Sequence, residues 1–410
     1  MTRLEGLSIL QKHLKKPQHT VLIGARQLGK TTLVKQLVQY LQEKKEVVHF
    51  ITFENPTILN AINEHPNNLF NFTTDIAAIA DGQTMFVIID EVQYANNPTN
   101  FLKFLYDEYS PKLKLIVTGS SAFYIDRDFK DSLAGRKKVF ELYPLNFDEF
   151  LQFKSEDTLV KELQQLRTRK DYVGTKQQQL NNLLNEYVSY GGYPAVVLAK
   201  KNEDKEELLK DLVNSFMKKD ALEAGVKEEV KFFHLAKILA EQVGNLVNQN
   251  ELSNTLKLSV GTIDNYLYLL QKTFIVQLIQ PKHSNVRKEL TKMPKVYFND
   301  TGLRNTLTNN YTNLNDRTDK GNLFENAVYT RLRYLYGIDA IKYWRTADGN
   351  EVDFVIEKNL NEGYAYEVKF NDALYKPTKY KKFTEAYTGF PLQAISIEKD
   401  KTDTIQMLRF

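Results

Sequence analysis

At 410 residues the chain is longer than one hydrophobic core usually serves, and about two to four domains are expected. A net charge of +4, from 55 basic and 51 acidic residues, is too small to single out nucleic acid as the partner, and the absence of cysteine excludes disulfides, thiolate metal sites and a cysteine nucleophile. Met1 to Thr20 has no apolar h-region and no apolar run is long enough to span a bilayer, so a cytoplasmic protein without membrane contact is expected.

In chain order, residues 4–16 read as an amphipathic helix with Leu4, Leu7, Leu10 and Leu14 on one face. The apolar run Val21-Leu22-Ile23 then leads into Gly24-Ala25-Arg26-Gln27-Leu28-Gly29-Lys30-Thr31, and Thr32 onward has helical spacing. This is G-x-x-x-x-G-K-[ST] between a strand and a helix, the context that the phosphate-loop motif requires. Its glycines let backbone N–H groups turn inward toward phosphate oxygens, and the helix N-terminus adds to that field. Lys30 supplies a positive charge for the β- and γ-phosphates, and Thr31 a hydroxyl for Mg²⁺.

A second strand is expected at 47–53 and, after a polar, asparagine-rich connection, a third at Met85–Glu91, whose continuous apolar run marks a central parallel strand. A helix over Phe101–Tyr109 and a strand from Leu113 to Thr118 follow, and the unit closes near 141–145 before a helix over Phe147–Phe153. Asp90 is read as the Mg²⁺-binding acid, and Glu91 as the base that polarises the attacking water. Thr118 and Ser120 either sense the γ-phosphate or cap the next element. Arg136 either reaches a neighbouring subunit's transition state in a homo-oligomer or is a surface arginine.

Residues 151–225 read as helices whose lysines and glutamates form solvated faces, broken by the turn Tyr190-Gly191-Gly192-Tyr193-Pro194. Between 226 and 290, helices over Phe232–Val243, Glu251–Leu256 and from Ser259 onward, then a strand at Phe274–Ile279, describe a winged helix-turn-helix. Its third helix exposes Thr262, Asp264 and Asn265 with few cations, so both DNA reading and a packing role remain open. From 291 the pattern is again mixed: a strand at Lys295–Phe298, a helix over Asn322–Leu335, and strands at 341–345, 351–357, 364–370 and 393–397.

The N-terminal motifs, together with Val117-Thr118-Gly119-Ser120-Ser121, Gly135-Arg136, Pro144 to Phe150, Tyr190 to Pro194 and Pro294 to Leu303, resemble a large group of bacterial and archaeal AAA-family ATPases. The resemblance covers nearly the whole chain. It implies an α/β fold: a P-loop NTPase (AAA-like) parallel sheet over 1–150, a helical segment over 151–225, a winged helix over 226–290 and a restriction-endonuclease-like α/β domain over 291–410. ATP and Mg²⁺ are the cofactors it implies.

In that last segment, Glu325 lies on a helix, Asp353 on one strand, and Glu367 and Lys369 on the next, where period two puts the last two on one face. Asp353 beside Glu367 gives carboxylates for Mg²⁺ or Mn²⁺, with Lys369 to orient water. The ordered set resembles the constellation of PD-(D/E)xK phosphodiesterases, with Glu325, Asp353 and Glu367 as metal ligands. Arg331, Arg333, Lys342, Arg345, Lys376, Lys379, Lys381 and Lys382, interleaved with Tyr343 and Trp344, suit a DNA backbone or an ordinary solvated surface. The expected function is a Mg²⁺-dependent ATPase coupled to a nuclease-like, DNA-interacting domain. The alternative is an ATP-controlled switch or scaffold that binds a partner without cutting.

Overall fold

The computed structural model describes residues 3–120 (3–5 for the backbone alone), 133–217, 221, 225–283, 289, 292–397 and 404–410. The chain forms two compact units: Met1–Tyr143 with Lys272–Phe274, and Pro144–Gln271 with Ile275–Phe410.

The first unit is built on five parallel strands, β1 (His19–Ile23), β2 (Val47–Thr52), β3 (Met85–Asp90), β4 (Leu113–Gly119) and β5 (Lys137–Glu141), in the order β2-β3-β4-β1-β5. β1, β3 and β4 are buried along their whole length, as central strands covered on both faces must be. The N-terminal helix Arg3–Leu14 buries Leu10, while the side chain of Leu4 lies outside the described residues. Two elements are absent from the sequence expectation. β5 is a half-exposed edge strand carrying Lys137 and Lys138, so it lacks the apolar run of its neighbours. The asparagine-rich connection contains the helix Pro56–Glu64, with Pro56 in its first turn and the Asn55 side chain accepting from Thr57 N and Ile58 N.

In the second unit, helices Phe147–Phe153, Asp157–Thr168, Gln177–Tyr190 and Asn202–Ser215 precede three more at Glu229–Glu241, Gln249–Leu256 and Val260–Lys272. The last of these leads to β6 (Val276–Ile279), which pairs antiparallel with β7 (Lys295–Phe298). A mixed sheet follows, of β8 (Ile341–Arg345), β9 (Glu351–Asn359), β10 (Glu362–Val368), β11 (Leu392–Ser396) and β12 (Thr404–Gln406), in the order β12-β11-β10-β9-β8. β8, β9 and β10 are antiparallel, whereas β11 runs parallel to both β10 and β12. The helix Lys320–Tyr336 buries Leu323, Phe324, Ala327, Val328 and Leu332. An apolar cluster of Trp344, Val355, Tyr380, Phe383 and Phe390 forms part of the core of this sheet.

Three sequence motifs of this unit meet in one buried clasp. Asp300 caps the helix Thr301–Leu307 through Leu303 N at 2.9 Å and accepts from Gly192 N at 2.7 Å. A Cβ on Gly191, whose φ is +76°, would fall 2.1 Å from the Asp300 carboxylate, and one on Gly302 would fall 2.1 Å from Tyr190 O. Leu145 N donates to Gly192 O at 2.8 Å. Only glycine lets these backbones approach so closely. Burial raises the Asp300 pKa to about 6, against the N–H donors that favour its ionised form. Asp300→Ala is expected to lower stability by about 2–4 kcal/mol, roughly 1 from the lost cap and 1–3 from the stranded Gly192 N–H. Urea unfolding of the variant beside the parent chain measures it.

Candidate functional site: a phosphate loop and a buried carboxylate

The phosphate loop joins β1 to the helix Lys30–Glu43, which buries Leu33, Val34, Leu37 and Leu41 against the unit's interior. Gln27 (φ +59°) and Gly29 (φ +83°) turn the backbone through the left-handed region, and Gly29 opens the helix with no side-chain cap. Gly24 is required for space, since a Cβ there would lie 2.4 Å from Leu142 O. Ala25 and Leu28 are buried, Arg26 is half-buried, and Gln27 and Thr32 are exposed. The Lys30 ammonium, itself buried, donates to the carbonyls of Gly24 at 2.8 Å and Ala25 at 2.9 Å.

β1, β3 and β4 run in the same direction and end together, so the residues following each converge at one edge of the sheet. There the Thr31 hydroxyl donates to Asp90 Oδ2 at 2.9 Å, and the Thr118 hydroxyl donates to Asp90 Oδ1. Thr118 Oγ1 in turn accepts from Glu91 N at 3.1 Å. One buried carboxylate thus joins the helix after the phosphate loop to two neighbouring strands. Glu91 has φ +59°, a conformation that costs a non-glycine residue about 1–3 kcal/mol and is held here by its surroundings.

Gln93 was not among the residues expected here. Its amide donates to Glu91 Oε2 and to Ser120 Oγ, the latter at 3.0 Å, while its own Oε1 is buried without a hydrogen-bond partner. The only hint in the sequence is its position two residues beyond Glu91. Ser120 therefore contacts Glu91 through Gln93; Ser121 lies outside the described residues. Arg136 stands at the other end of the sheet. His19 N, at the start of β1, donates to Arg136 O, and a five-residue strand spans roughly 15 Å. Its guanidinium is paired with Asp107 at 2.6 and 3.2 Å. In its own chain Arg136 is a surface ion-pair residue remote from the phosphate loop.

The second unit gathers the other expected residues differently from the expectation. Asp353 and Glu367 lie one step beyond the Phe354–Tyr366 pair of β9 and β10, and Asp353 Oδ2 accepts from Val368 N at 2.9 Å. Lys369 pairs with Glu367 Oε1, and Glu367 Oε2 is buried without a hydrogen-bond partner. Glu325 accepts from the Tyr297 hydroxyl at 2.5 Å. Between these acids lies Lys295, 2% exposed, with its ammonium 2.6 Å from Glu351, 3.2 Å from Glu325 and 3.4 Å from Asp353. The expected metal ligands Glu325, Asp353 and Glu367 are thus drawn into one charge cluster but not onto one cation position. Among the described residues no group of three acids or histidines is placed to hold a metal ion.

Burial and the neighbouring Asp353 charge raise the Glu325 pKa to about 7 and that of Glu367 to about 8, with Lys295 and Lys369 respectively opposing. Burial works to lower the Lys295 pKa, but Glu325, Tyr297, Asp353 and Glu351 raise it well above the ordinary value. Lys295 and Glu351 were not expected at this site. Their traces in the sequence are a lysine opening an apolar strand and a glutamate two positions from Asp353, on the same face.

Most of the cations that suggested a DNA backbone are internally engaged. Arg331 pairs with Asp148, Arg333 donates to Asn299, Lys342 pairs with Glu289 and Glu357, Arg345 with Glu351 and Lys382 with Asp348. Tyr343 and Trp344 are buried and offer no surface for stacking, while Lys376, Lys379 and Lys381 are exposed, as are Arg345 and Lys382 within their ion pairs. No helix among the described residues is long and apolar enough to cross a membrane.

Residues 16–151 match a family described as an AAA domain, while 181–314 and 320–406 match two described as domains of unknown function, DUF8612 and DUF4143. The chain is 26% identical over 343 residues to an uncharacterized protein of Methanocaldococcus jannaschii, spanning 82% of this chain and 71% of that one. It is 27% identical over 351 residues to an uncharacterized protein of Haemophilus influenzae, spanning 82% and 79%. Among solved structures it is similar to the replication initiator DnaA bound to AMPPCP and single-stranded DNA, at 14% identity and a TM-score of 0.33 over 64% of this chain and 86% of that one. The N-terminal unit is thus similar in sequence to an AAA domain and carries a phosphate loop on a parallel sheet.

Proposed function

We propose that this chain is a Mg²⁺-dependent ATPase whose nucleotide state governs a C-terminal acid–lysine site of the PD-(D/E)xK type. The observation that carries the first half is the carboxylate of Asp90 held between Thr31 and Thr118 beside the phosphate loop. Hard oxygens from Thr31 and Asp90 at one edge fit Mg²⁺. When bound, that ion would neutralise charge on the β- and γ-phosphates. Lys30 leaves the Gly24 and Ala25 carbonyls for the phosphates, which are better partners for an ammonium than neutral oxygens. Glu91 takes the proton of the attacking water, positioned through its N–H on Thr118 and its carboxylate on Gln93.

Lys30→Ala is expected to lose ATP binding. Glu91→Gln should keep binding but hydrolyse at least about a hundredfold more slowly, the scale of a lost general base. Phosphate release beside equilibrium binding of a fluorescent ATP analogue distinguishes the two, and hydrolysis at the parent rate in Glu91→Gln would remove Glu91 from the base role.

For the second unit, the reading rests on Asp353 and Glu367 on adjacent strands and Lys369 just past the end of β10, with Glu325 on the facing helix. The three helices over 229–272 followed by the β6–β7 ribbon are read as a winged helix serving packing, since Asp264 on the exposed face is bonded to Gln249 and cations are sparse there. The internal pairing of Arg331, Lys342, Arg345 and Lys382 favours a second reading, in which the C-terminal site binds a partner under ATP control and cuts nothing. Incubation of the full chain with single- and double-stranded DNA and Mg²⁺ or Mn²⁺, with and without ATP, separates them. Cleavage lost in Asp353→Ala and in Lys369→Ala is the outcome expected of the nuclease-type site. Intact DNA under every condition is the outcome of the switch.

A further inference from the structure

The acid cluster has an unusual centre, because the position among its carboxylates is filled by the chain's own ammonium. Lys295 bonds Glu325 Oε1, Glu351 Oε1 and Asp353 Oδ1 at 2.6–3.4 Å and is almost fully buried. Three further oxygens of the cluster are engaged too: Asp353 Oδ2 by Val368 N, Glu351 Oε2 by Arg345 and Glu367 Oε1 by Lys369. Glu367 Oε2 is buried in the same cluster without a hydrogen-bond partner, as is the Tyr380 hydroxyl that acts on its carboxyl. A divalent ion such as Mg²⁺ needs several oxygens at about 2.1 Å, and it could not share Glu325 and Asp353 with an ammonium already bonded to both.

From this geometry we propose that Lys295 is a resident cation that competes with divalent metal for the C-terminal acid cluster, so that metal enters by displacing it. The inference rests on the reading of Glu325, Asp353 and Glu367 as metal-binding carboxylates. The lysine is carried by β7, paired with β6 outside the sheet that carries Asp353 and Glu367. Glu351 holds the lysine by the shortest of the three contacts but pairs outward with Arg345, which makes it an anchor for Lys295 and not a ligand.

The test is Mn²⁺ binding to the full chain without nucleotide, followed by the free-ion electron paramagnetic resonance signal. Asp353→Asn identifies the portion due to this site. Lys295→Met is expected to bind Mn²⁺ at least about tenfold more tightly than the parent chain, since removing a competing charge from a buried site is worth an order of magnitude or more. Glu351→Gln, which removes the shortest contact to Lys295 but none of the three carboxylates read as metal ligands, is expected to tighten binding by a smaller factor and serves if Lys295→Met does not fold. Equal Mn²⁺ affinity in the parent, Lys295→Met and Glu351→Gln, lost in Asp353→Asn, would overturn the competition while leaving the metal site standing. Absence of Mn²⁺ binding in every folded variant would overturn the metal reading and the competition with it.

Discussion

The N-terminal unit depends on what surrounds one buried carboxylate. Asp90 ends the most apolar strand of the sheet, where an unpaired ion would cost several kcal/mol on the order of a lost buried pair. Its two oxygens are satisfied by Thr31 and Thr118, one from the helix after the phosphate loop and one from the next strand. Those bonds need β1, β3 and β4 to end together, which the parallel register secures. They also place Glu91 and Gln93, because the Glu91 backbone is anchored on the same Thr118 hydroxyl. A polar requirement in an apolar place thereby defines the site.

The second unit applies the same rule on a larger scale. Asp300, buried with two backbone N–H donors, locks the Tyr190–Pro194 turn against the start of the Thr301–Leu307 helix. Lys295 and Lys369 meet the acids of β9, β10 and the Lys320–Tyr336 helix. Buried charges in this chain are met by partners from other elements, so each also fixes where those elements stand. In the acid cluster the compensation is incomplete, as the unpartnered Glu367 oxygen and the raised pKa values of Glu325 and Glu367 show. Incomplete compensation is the condition under which a site accepts a further cation or proton.

Much of this was legible in the sequence where a local rule governs. The phosphate loop, the apolar runs of β1, β3 and β4 and the long helix over 320–336 announce themselves through spacing and composition, and Asp90 through its place at a strand end. What escaped was set by neighbours distant in sequence. β5 is a polar edge whose only strong signal is its pairing with β1. Lys295 belongs to an apolar strand and shows its importance only when Glu325, Glu351 and Asp353 are folded onto it. The basic residues after Arg331 looked like a surface for phosphates because their acidic partners Asp148, Glu289, Glu357 and Asp348 come from other elements. Pairing across the fold carries no periodicity, so no pattern along the chain records it.

The central claim, that Asp90 links the phosphate loop to the strand edge and takes part in holding Mg²⁺ with the nucleotide, is tested most directly by one measurement. It is the affinity of the full chain for a non-hydrolysable ATP analogue, with Mg²⁺ and with Mg²⁺ removed by chelation, in the parent and in Asp90→Asn. The account predicts that Mg²⁺ tightens binding in the parent by about tenfold or more and leaves Asp90→Asn nearly unchanged. Equal tightening by Mg²⁺ in both chains would contradict it.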